Sequence, residues 1–289
     1  MDFVRPRTWR DALAAKAELP TAQALAGGTD VMVEINFGHR RPEALIDLNP
    51  IHELSEWHCQ DGVAVIGAGV SYTRLITELG DRLPGLALAA RTVGSPQIRN
   101  RGSIGGNLGS ASPAGDCHPV LLAADAIIEV ESTRGERRIP IDDFYRGLKQ
   151  TALRQDELIR AVRIRTGTGP CQFGKIGTRN AMVIAVCSFA IALHPSNRTV
   201  RTGIGSAAPR PIRAPDAEAF VGGELAAAGL WESRKPLPAS LVARFGELVP
   251  TAAAPIDDLR GSAAYRRHAL SVLAVRTLNW AWEEYRTCA

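Results

Sequence analysis

The chain has 289 residues, 45% hydrophobic and 22% charged, with a formal net charge of +4. That length supports a full hydrophobic core and more than one domain. The small positive excess, with no basic run interleaved with aromatics, argues against a nucleic-acid-binding reading. The opening Met1-Asp2-Phe3-Val4-Arg5-Pro6 lacks the apolar core of a signal peptide. The longest apolar run, Met182–Leu193, falls well short of the ~20 residues a membrane helix needs. A cytoplasmic protein without a membrane span is therefore expected.

In chain order, Arg7–Glu18 is predicted as a helix with Thr8 as N-cap and Trp9, Ala12, Leu13 and Ala17 at helical spacing. Ala22–Ala26 reads as a short strand that runs into the glycine turn Gly27-Gly28-Thr29-Asp30. Val31–Ile35 fits either a helix turn or a strand. Leu45–Leu48 and Gly62–Gly69 read as strands, and Ser71 caps a helix carrying Leu75, Ile76 and Leu79. Leu83–Thr92 is helical and leads into a long glycine-rich loop, Arg99–Ser110, continued by Ala111-Ser112-Pro113-Ala114-Gly115-Asp116. Pro119–Ala124 looks like a buried helix turn, Ala126–Val130 a strand, and Glu131–Arg138 a hairpin turn. Val162–Arg165 alternates as a strand does, and Thr166-Gly167-Thr168-Gly169-Pro170 has the composition of a linker. Beyond it, Val183–Leu193 and Thr199–Ala207 are expected as strands joined by a turn at Pro195-Ser196-Asn197. Helical sequence follows Pro215, and Ala264–Tyr285 closes the chain as a long helix. Strands and helices mix in both halves, which gives an α+β or α/β class with two domains.

Five cysteines (Cys59, Cys117, Cys171, Cys187, Cys288) stand singly, and six histidines form no HxH or HExxH pattern. No metal site is expected on this chain. The chemistry lies in the two glycine-rich segments, Leu25–Asp30 and Arg99–Ser110. Glycine lets backbone approach a ligand closely, and turns with free N–H groups make anion sites. Two such segments suggest a long phosphate-bearing ligand held from both sides, with a dinucleotide as the natural candidate. The common G-x-G-x-x-G fingerprint is missing: Gly67-Ala68-Gly69 begins it, but Tyr72 stands where the third glycine belongs. A Rossmann-type site is thereby disfavoured.

At these residues the sequence resembles a known family. Ala26-Gly27-Gly28-Thr29-Asp30, Gln97-Ile98-Arg99-Asn100, Ser103-Ile104-Gly105-Gly106-Asn107 and Ser112-Pro113-Ala114-Gly115-Asp116 look like the FAD-binding medium subunit of molybdenum hydroxylases, the xanthine dehydrogenase and carbon monoxide dehydrogenase group. Phe173-Gly174-Lys175 and Tyr265-Arg266-Arg267-His268 extend the resemblance over nearly the whole chain. It implies an α+β architecture: a PCMH-type (vanillyl-alcohol-oxidase-like) FAD-binding α/β fold over residues 1–166, with subdomains of about 1–55 and 56–166. A C-terminal α/β domain with a three-stranded antiparallel sheet would follow over residues 171–289.

The resemblance assigns Leu25, Ala26, Gly27, Gly28, Thr29 and Asp30 to one side of the FAD, with Gly27 and Gly28 offering backbone N–H groups to the pyrophosphate. Ser103, Ile104, Gly105, Gly106 and Asn107 are assigned to the other side, Ile98 to the flavin or adenine face, and Ile159 to an apolar contact that a core strand would equally supply. Asp116 is read as a hydrogen-bonding acid, or as the N-cap of the following helix, or both. Lys175 is given the mechanistic role, a cation at the N1/C2=O edge of the flavin, against the plainer reading of a solvated lysine. Arg179 borders the acceptor channel or sits in solvent. Val93 departs from the aromatic residue that eukaryotic xanthine dehydrogenases place against the flavin. Trp57 and His58 are expected on the surface or at a subunit contact.

The implied function is electron transfer. Substrate, of purine, other N-heterocyclic or aldehyde class, is oxidised at a molybdopterin cofactor on a large subunit. Electrons pass through [2Fe–2S] clusters on a small iron–sulfur subunit to FAD on this chain, and on to NAD+ or another acceptor. A dimer of heterotrimers is expected. The alternatives are a stand-alone FAD oxidoreductase of the same fold and a non-catalytic assembly module.

Overall fold

The computed structural model describes residues 1–287, so Cys288 lies outside the described residues. Strands β1 (Asp2–Val4), β2 (Gln23–Leu25) and β3 (Ala44–Asp47) form a parallel sheet in the order β1-β3-β2. The crossover from β1 to β2 is the Trp9–Glu18 helix, whose first turn is capped by Thr8 Oγ1 accepting from the Asp11 N–H at 3.1 Å. Lys16 of that helix is buried and donates to the carbonyls of Pro20 (2.8 Å) and Ala22 (2.7 Å), which fixes the turn entering β2. Residues Val31–Asn36 form a helix, which decides between the two conformations the sequence allows.

Next come β4 (Trp57–Gln60), β5 (Val63–Gly67), β6 (Ile127–Ser132), β7 (Gly135–Pro140), the small hairpin β8 (Tyr145–Gly147) with β9 (Gln150–Thr151), and β10 (Leu158–Arg165). Five of these make an antiparallel sheet in the order β4-β5-β10-β6-β7. A bulge between Ile159 and Ala161 interrupts the β10–β6 register, and the Arg160 carbonyl accepts from the Ala68 N–H at 2.9 Å. Trp57 lies on the edge strand, half-buried, with its indole N–H on Glu78 at 2.6 Å.

The C-terminal part is an antiparallel sheet of β11 (Cys171–Ile176), β12 (Cys187–His194) and β13 (Thr199–Gly205) in that order. Every residue of β12 is buried, because helices cover both faces of the sheet. Two glycines permit this. A Cβ at Gly203 would sit 2.0 Å from the Pro119 carbonyl oxygen of the Cys117–Ala123 helix, and one at Gly174 would sit 2.8 Å from Leu273 of the Ala263–Thr287 helix. Alternation along β11 then sends Phe173 and Lys175 toward the N-terminal part, where Phe173 joins the core of the five-stranded sheet.

Two expectations are corrected. The glycine-rich stretch 99–110 is mostly two short helices, Pro96–Arg101 and Ile104–Ser110. Their N-cap serines, Ser95 and Ser103, accept from Ile98 N and Gly106 N. The apolar run from Val183 enters its strand only at Cys187, because β11 ends at Ile176 and leaves the preceding residues without a sheet partner. No helix among the described residues is long and apolar enough to cross a membrane.

The packing separates two glycine substitutions. Gly203→Ala should destabilise the chain by about 3 kcal/mol by forcing the helix off the sheet. Gly222→Ala, in the interior of the Pro215–Ala227 helix with open space around it, should stabilise by about 0.5–1 kcal/mol. Urea denaturation of both variants checks the contrast.

Candidate functional site

A cleft of about 560 Å³ runs between the parallel sheet and the five-stranded sheet. One wall is the turn leaving β2; the other is the pair of short helices and the segment after them. The walls meet at backbone. A Cβ on Gly27 would lie 1.9 Å from the Arg101 carbonyl oxygen, and one on Gly106 would lie 3.9 Å from the Ala26 Cβ. Asn49 braces the junction: its amide donates to the Ala26 carbonyl at 2.8 Å, and its Oδ1 accepts from Arg101 at 3.3 Å.

The two walls differ in what they offer. At the start of the Ile104–Ser110 helix the N–H groups are already used: Ile104 donates to Val70 O, Gly105 to Ala68 O, Gly106 to Ser103 Oγ and Asn107 to Ser103 O. Gly105 is a packing glycine, since a Cβ there would sit 2.4 Å from the Ala68 Cβ. Across the cleft, the N–H groups of Gly27, Gly28, Thr29 and Asp30 meet no protein acceptor among the described residues. Gly28 has φ +74°, a conformation that favours glycine. The first turn therefore supplies the free backbone donors, a concave nest suited to an anion.

Of the residues predicted from sequence, Ala26, Gly27, Gly28, Thr29, Asp30, Ser103, Gly105, Gly106, Asn107 and Ile159 line this cleft. The bulge in β10 presents Ile159, whose Cδ1 would lie 3.9 Å from a Cβ on Gly109. Leu25 sits behind Gly28, Ile104 is fully buried in the core, and Ile98 packs under Gly94. Val93 lines the cleft, as does Ile184 from the C-terminal part. Arg179 donates to the carbonyls of Ala181 and Met182 in its own exposed segment.

Asp116 and Lys175 come together outside the residues that line the cleft. Lys175 Nζ lies 2.6 Å from Asp116 Oδ2 and 3.0 Å from the Thr92 carbonyl, and the Thr92 hydroxyl also donates to Asp116 Oδ2 at 3.0 Å. Both side chains are more than nine-tenths buried. Asp116 begins the Cys117–Ala123 helix, but its side chain makes no capping bond, so the N-cap reading is corrected: the carboxylate is engaged by Lys175 instead. Burial pushes the Asp116 carboxyl up to about 6, against the opposing pull of Lys175 and Thr92. Two neighbouring acceptors, Asn107 Oδ1 and Asp116 Oδ1, are buried without a protein partner. A polar ligand or an ordered water satisfies such atoms. Next to them, His118 is fully buried, bonded through Nδ1 to the Tyr145 hydroxyl at 2.7 Å, and held neutral by a pKa pushed down to about 3 by burial.

Sequence reasoning missed Asn49, Arg101 and Thr92 as parts of the site. Arg101 lies inside the glycine-rich segment 99–110, so its place there could have flagged it. Asn49 and Thr92 act through contacts distant in sequence, and nothing local marks them.

A cleft with a free backbone nest on one wall and closely packed glycines between two sheets is suited to a phosphate-bearing cofactor. Comparison with known proteins identifies which. Residues 1–165 match the family of the FAD binding domain in molybdopterin dehydrogenase, and residues 173–281 match the CO dehydrogenase flavoprotein C-terminal domain. The xanthine dehydrogenase FAD-binding subunit of Escherichia coli O157:H7 is 30% identical over 292 residues, covering 96% of this chain and 95% of that one. The carbon monoxide dehydrogenase medium chain of Hydrogenophaga pseudoflava is 31% identical over 291 residues, covering 97% and 96%. A solved structure of carbon monoxide dehydrogenase from the same organism, lacking the Mo-pyranopterin moiety, superposes with a TM-score of 0.89 at 29% identity over 98% of each chain. The chain belongs to the FAD-binding medium-subunit family of the xanthine dehydrogenase and carbon monoxide dehydrogenase group. It is an oxidoreductase flavoprotein subunit.

The raised Asp116 pKa has a readable sign. A carboxyl with a higher pKa in the folded state stabilises the fold when protonated, and that contribution is lost as pH rises from about 4 through about 6. Relative to Asp116→Asn, wild-type stability should therefore rise as pH falls from 7.5 to 5. Infrared spectra should show a protonated carboxyl band with a midpoint near pH 6 that is absent in Asp116→Asn.

Proposed function

We propose that this chain is the electron-transfer subunit of a three-subunit molybdenum hydroxylase and holds FAD in the cleft between its first two sheets. The observation that carries the reading is the contact of Gly27 with the Arg101 carbonyl, which closes the two glycine-rich segments over a cleft with free N–H donors on one wall. In this reading the N–H groups of Gly27, Gly28, Thr29 and Asp30 hold the pyrophosphate, and Leu25 and Ala26 support that turn. Ser103, Gly105, Gly106 and Asn107 form the opposite wall. There the small side chains leave the ligand room, and the Asn107 amide supplies polar contacts. Ile104 backs this wall from the core side, Ile98 packs at Gly94 beside it, and Ile159 supplies the apolar contact. FAD held there would supply the redox chemistry between [2Fe–2S] clusters on a small partner subunit and NAD+ or another acceptor.

Lys175 acts on the cofactor's electron affinity. A fixed cation favours negative charge that develops nearby, and two of the three Lys175 protons are already directed at Asp116 and Thr92. The third meets no protein acceptor among the described residues. Asp116 tempers the cation: while ionised it cancels most of the lysine's charge, and once protonated it leaves that charge to act.

Substrate chemistry belongs to a large molybdopterin subunit in this reading, so the substrate is not written in this chain. The Gly27-Gly28-Thr29-Asp30 turn inclines the reading to a purine over carbon monoxide, with another N-heterocycle or an aldehyde as the further substrate classes. The assembly is a dimer of heterotrimers in the cytoplasm.

The purified chain should show flavin absorption maxima near ~375 and ~450 nm. Gly28→Val and Gly106→Val should each abolish FAD retention, the first by forcing a branched side chain into positive φ, the second by filling the space between the walls. Normal flavin content in both variants would refute the site. Lys175→Ala should keep FAD but lower its reduction potential, measured by dye-linked titration; an unchanged potential would show the lysine to be a structural ion-pair partner only.

A further inference from the structure

Arg266 stands in the Tyr265-Arg266-Arg267-His268 motif at the start of the long C-terminal helix and has no part in the chemistry above. It is 3% exposed. Its guanidinium makes a clamp between segments far apart in sequence: Nη1 lies 2.6 Å from the Val186 carbonyl and 2.6 Å from the Ser206 carbonyl, while Nη2 lies 2.6 Å from Asp258 Oδ1. Both carbonyls lead to the cleft. Val186 follows Ile184, the cleft-lining residue of the C-terminal part, by two positions. Ser206 is held at φ +60°, a conformation unfavourable for a residue with a Cβ, and its N–H donates to the Pro113 carbonyl at 2.8 Å. Pro113 lies between the cleft-lining Ser112 and Ala114.

We propose that Arg266 is a positioning residue for the cofactor cleft. Through Val186 and Ser206 it fixes the wall formed by Ile184 and residues 112–115; this rests on the reading that FAD occupies that cleft. The ion pair with Asp258 aims the guanidinium. The planar fork then lets one side chain serve two carbonyls and a carboxylate at once, which a lysine ammonium on a flexible stem does not reproduce. Strain at Ser206 is maintained because both of its backbone groups are engaged, one by Arg266 and the other by Pro113.

The test compares Arg266→Lys with Leu278→Ala, a truncation of a fully buried residue in the same helix that has no contact with the clamp. FAD release from the loaded full-length chain, followed by flavin fluorescence, should accelerate at least about 10-fold in Arg266→Lys, the scale of a lost charge-assisted hydrogen bond. It should change little in Leu278→Ala, even where that variant loses more thermal stability. In the FAD-free chain, hydrogen exchange at the Ser206 amide should also quicken about 10-fold in Arg266→Lys, while the Ile191 amide in the central strand keeps its wild-type rate. Should Arg266→Lys fail to fold, Asp258→Asn, which loosens the clamp without removing it, should shift release and Ser206 exchange in the same direction by a smaller factor of about 3. Release no faster in the clamp variant than in Leu278→Ala, or an unchanged Ser206 exchange rate, overturns the proposal. A wild-type chain that holds no FAD overturns the cofactor reading beneath it, whatever the exchange rates.

Discussion

The cleft exists because two stretches of main chain touch without side chains between them. Gly27 lies against the Arg101 carbonyl so closely that a methyl group would have to occupy the same space as that oxygen. Contact of this kind fixes separation as no side-chain interface does, since backbone has no rotamers to adjust. It also determines where each wall spends its hydrogen bonds. The helix starting at Ile104 uses its N–H groups on Ala68, Val70 and Ser103, anchoring itself to the five-stranded sheet. The turn after β2 has no such anchor for residues 27–30 and keeps its donors free. Rigidity therefore sits on one side of the cleft and anion-binding capacity on the other.

The Lys175–Asp116 pair extends this arrangement into the C-terminal part. Buried ion pairs contribute little net stability, because desolvation offsets the Coulomb attraction. What this one contributes is orientation. Lys175 emerges from β11, Thr92 from the end of the Pro84–Arg91 helix, and Asp116 from the start of the Cys117–Ala123 helix. Only one docking of β11 satisfies all three groups. The alternation of Phe173, Gly174 and Lys175 makes that docking possible: the glycine admits the long helix on one face, while its neighbours reach the N-terminal part on the other.

Much of the fold could be read from the sequence where local chemistry agreed with tertiary demand. Thr8 and Ser71 announced the helices they cap, and the apolar runs announced β3, β5 and β13. Reading failed where glycine served packing. Gly102, Gly105, Gly106 and Gly109 suggested a loop, yet Gly105 is small because Ala68 lies against it, and the serine caps carry the chain through two helical turns. For the site, the residues lining the cleft stand in the motifs, whereas Ile104 of the same motif is fully buried in the core and Ile98 packs at Gly94 outside the cleft lining. The pairing of Asp116 with Lys175 was not readable, because two motifs separated by the linker carry no sign that their charges neutralise each other.

The same logic explains why an arginine at the start of a remote helix bears on the cleft. The wall at residues 112–115 has no sheet of its own; one of its attachments is the Pro113 carbonyl, held by the Ser206 N–H. Ser206 in turn sits in an unfavourable backbone conformation just past the end of β13, where the strand's ladder no longer supports it. A segment attached through a strained residue needs a second constraint on that residue, and a buried guanidinium is suited to the task because its donors are fixed relative to one another. The C-terminal part thus does more than cover the cofactor domain: it supplies, through the Ser206 N–H whose residue Arg266 holds at its carbonyl, the reference against which one wall of the cleft is set.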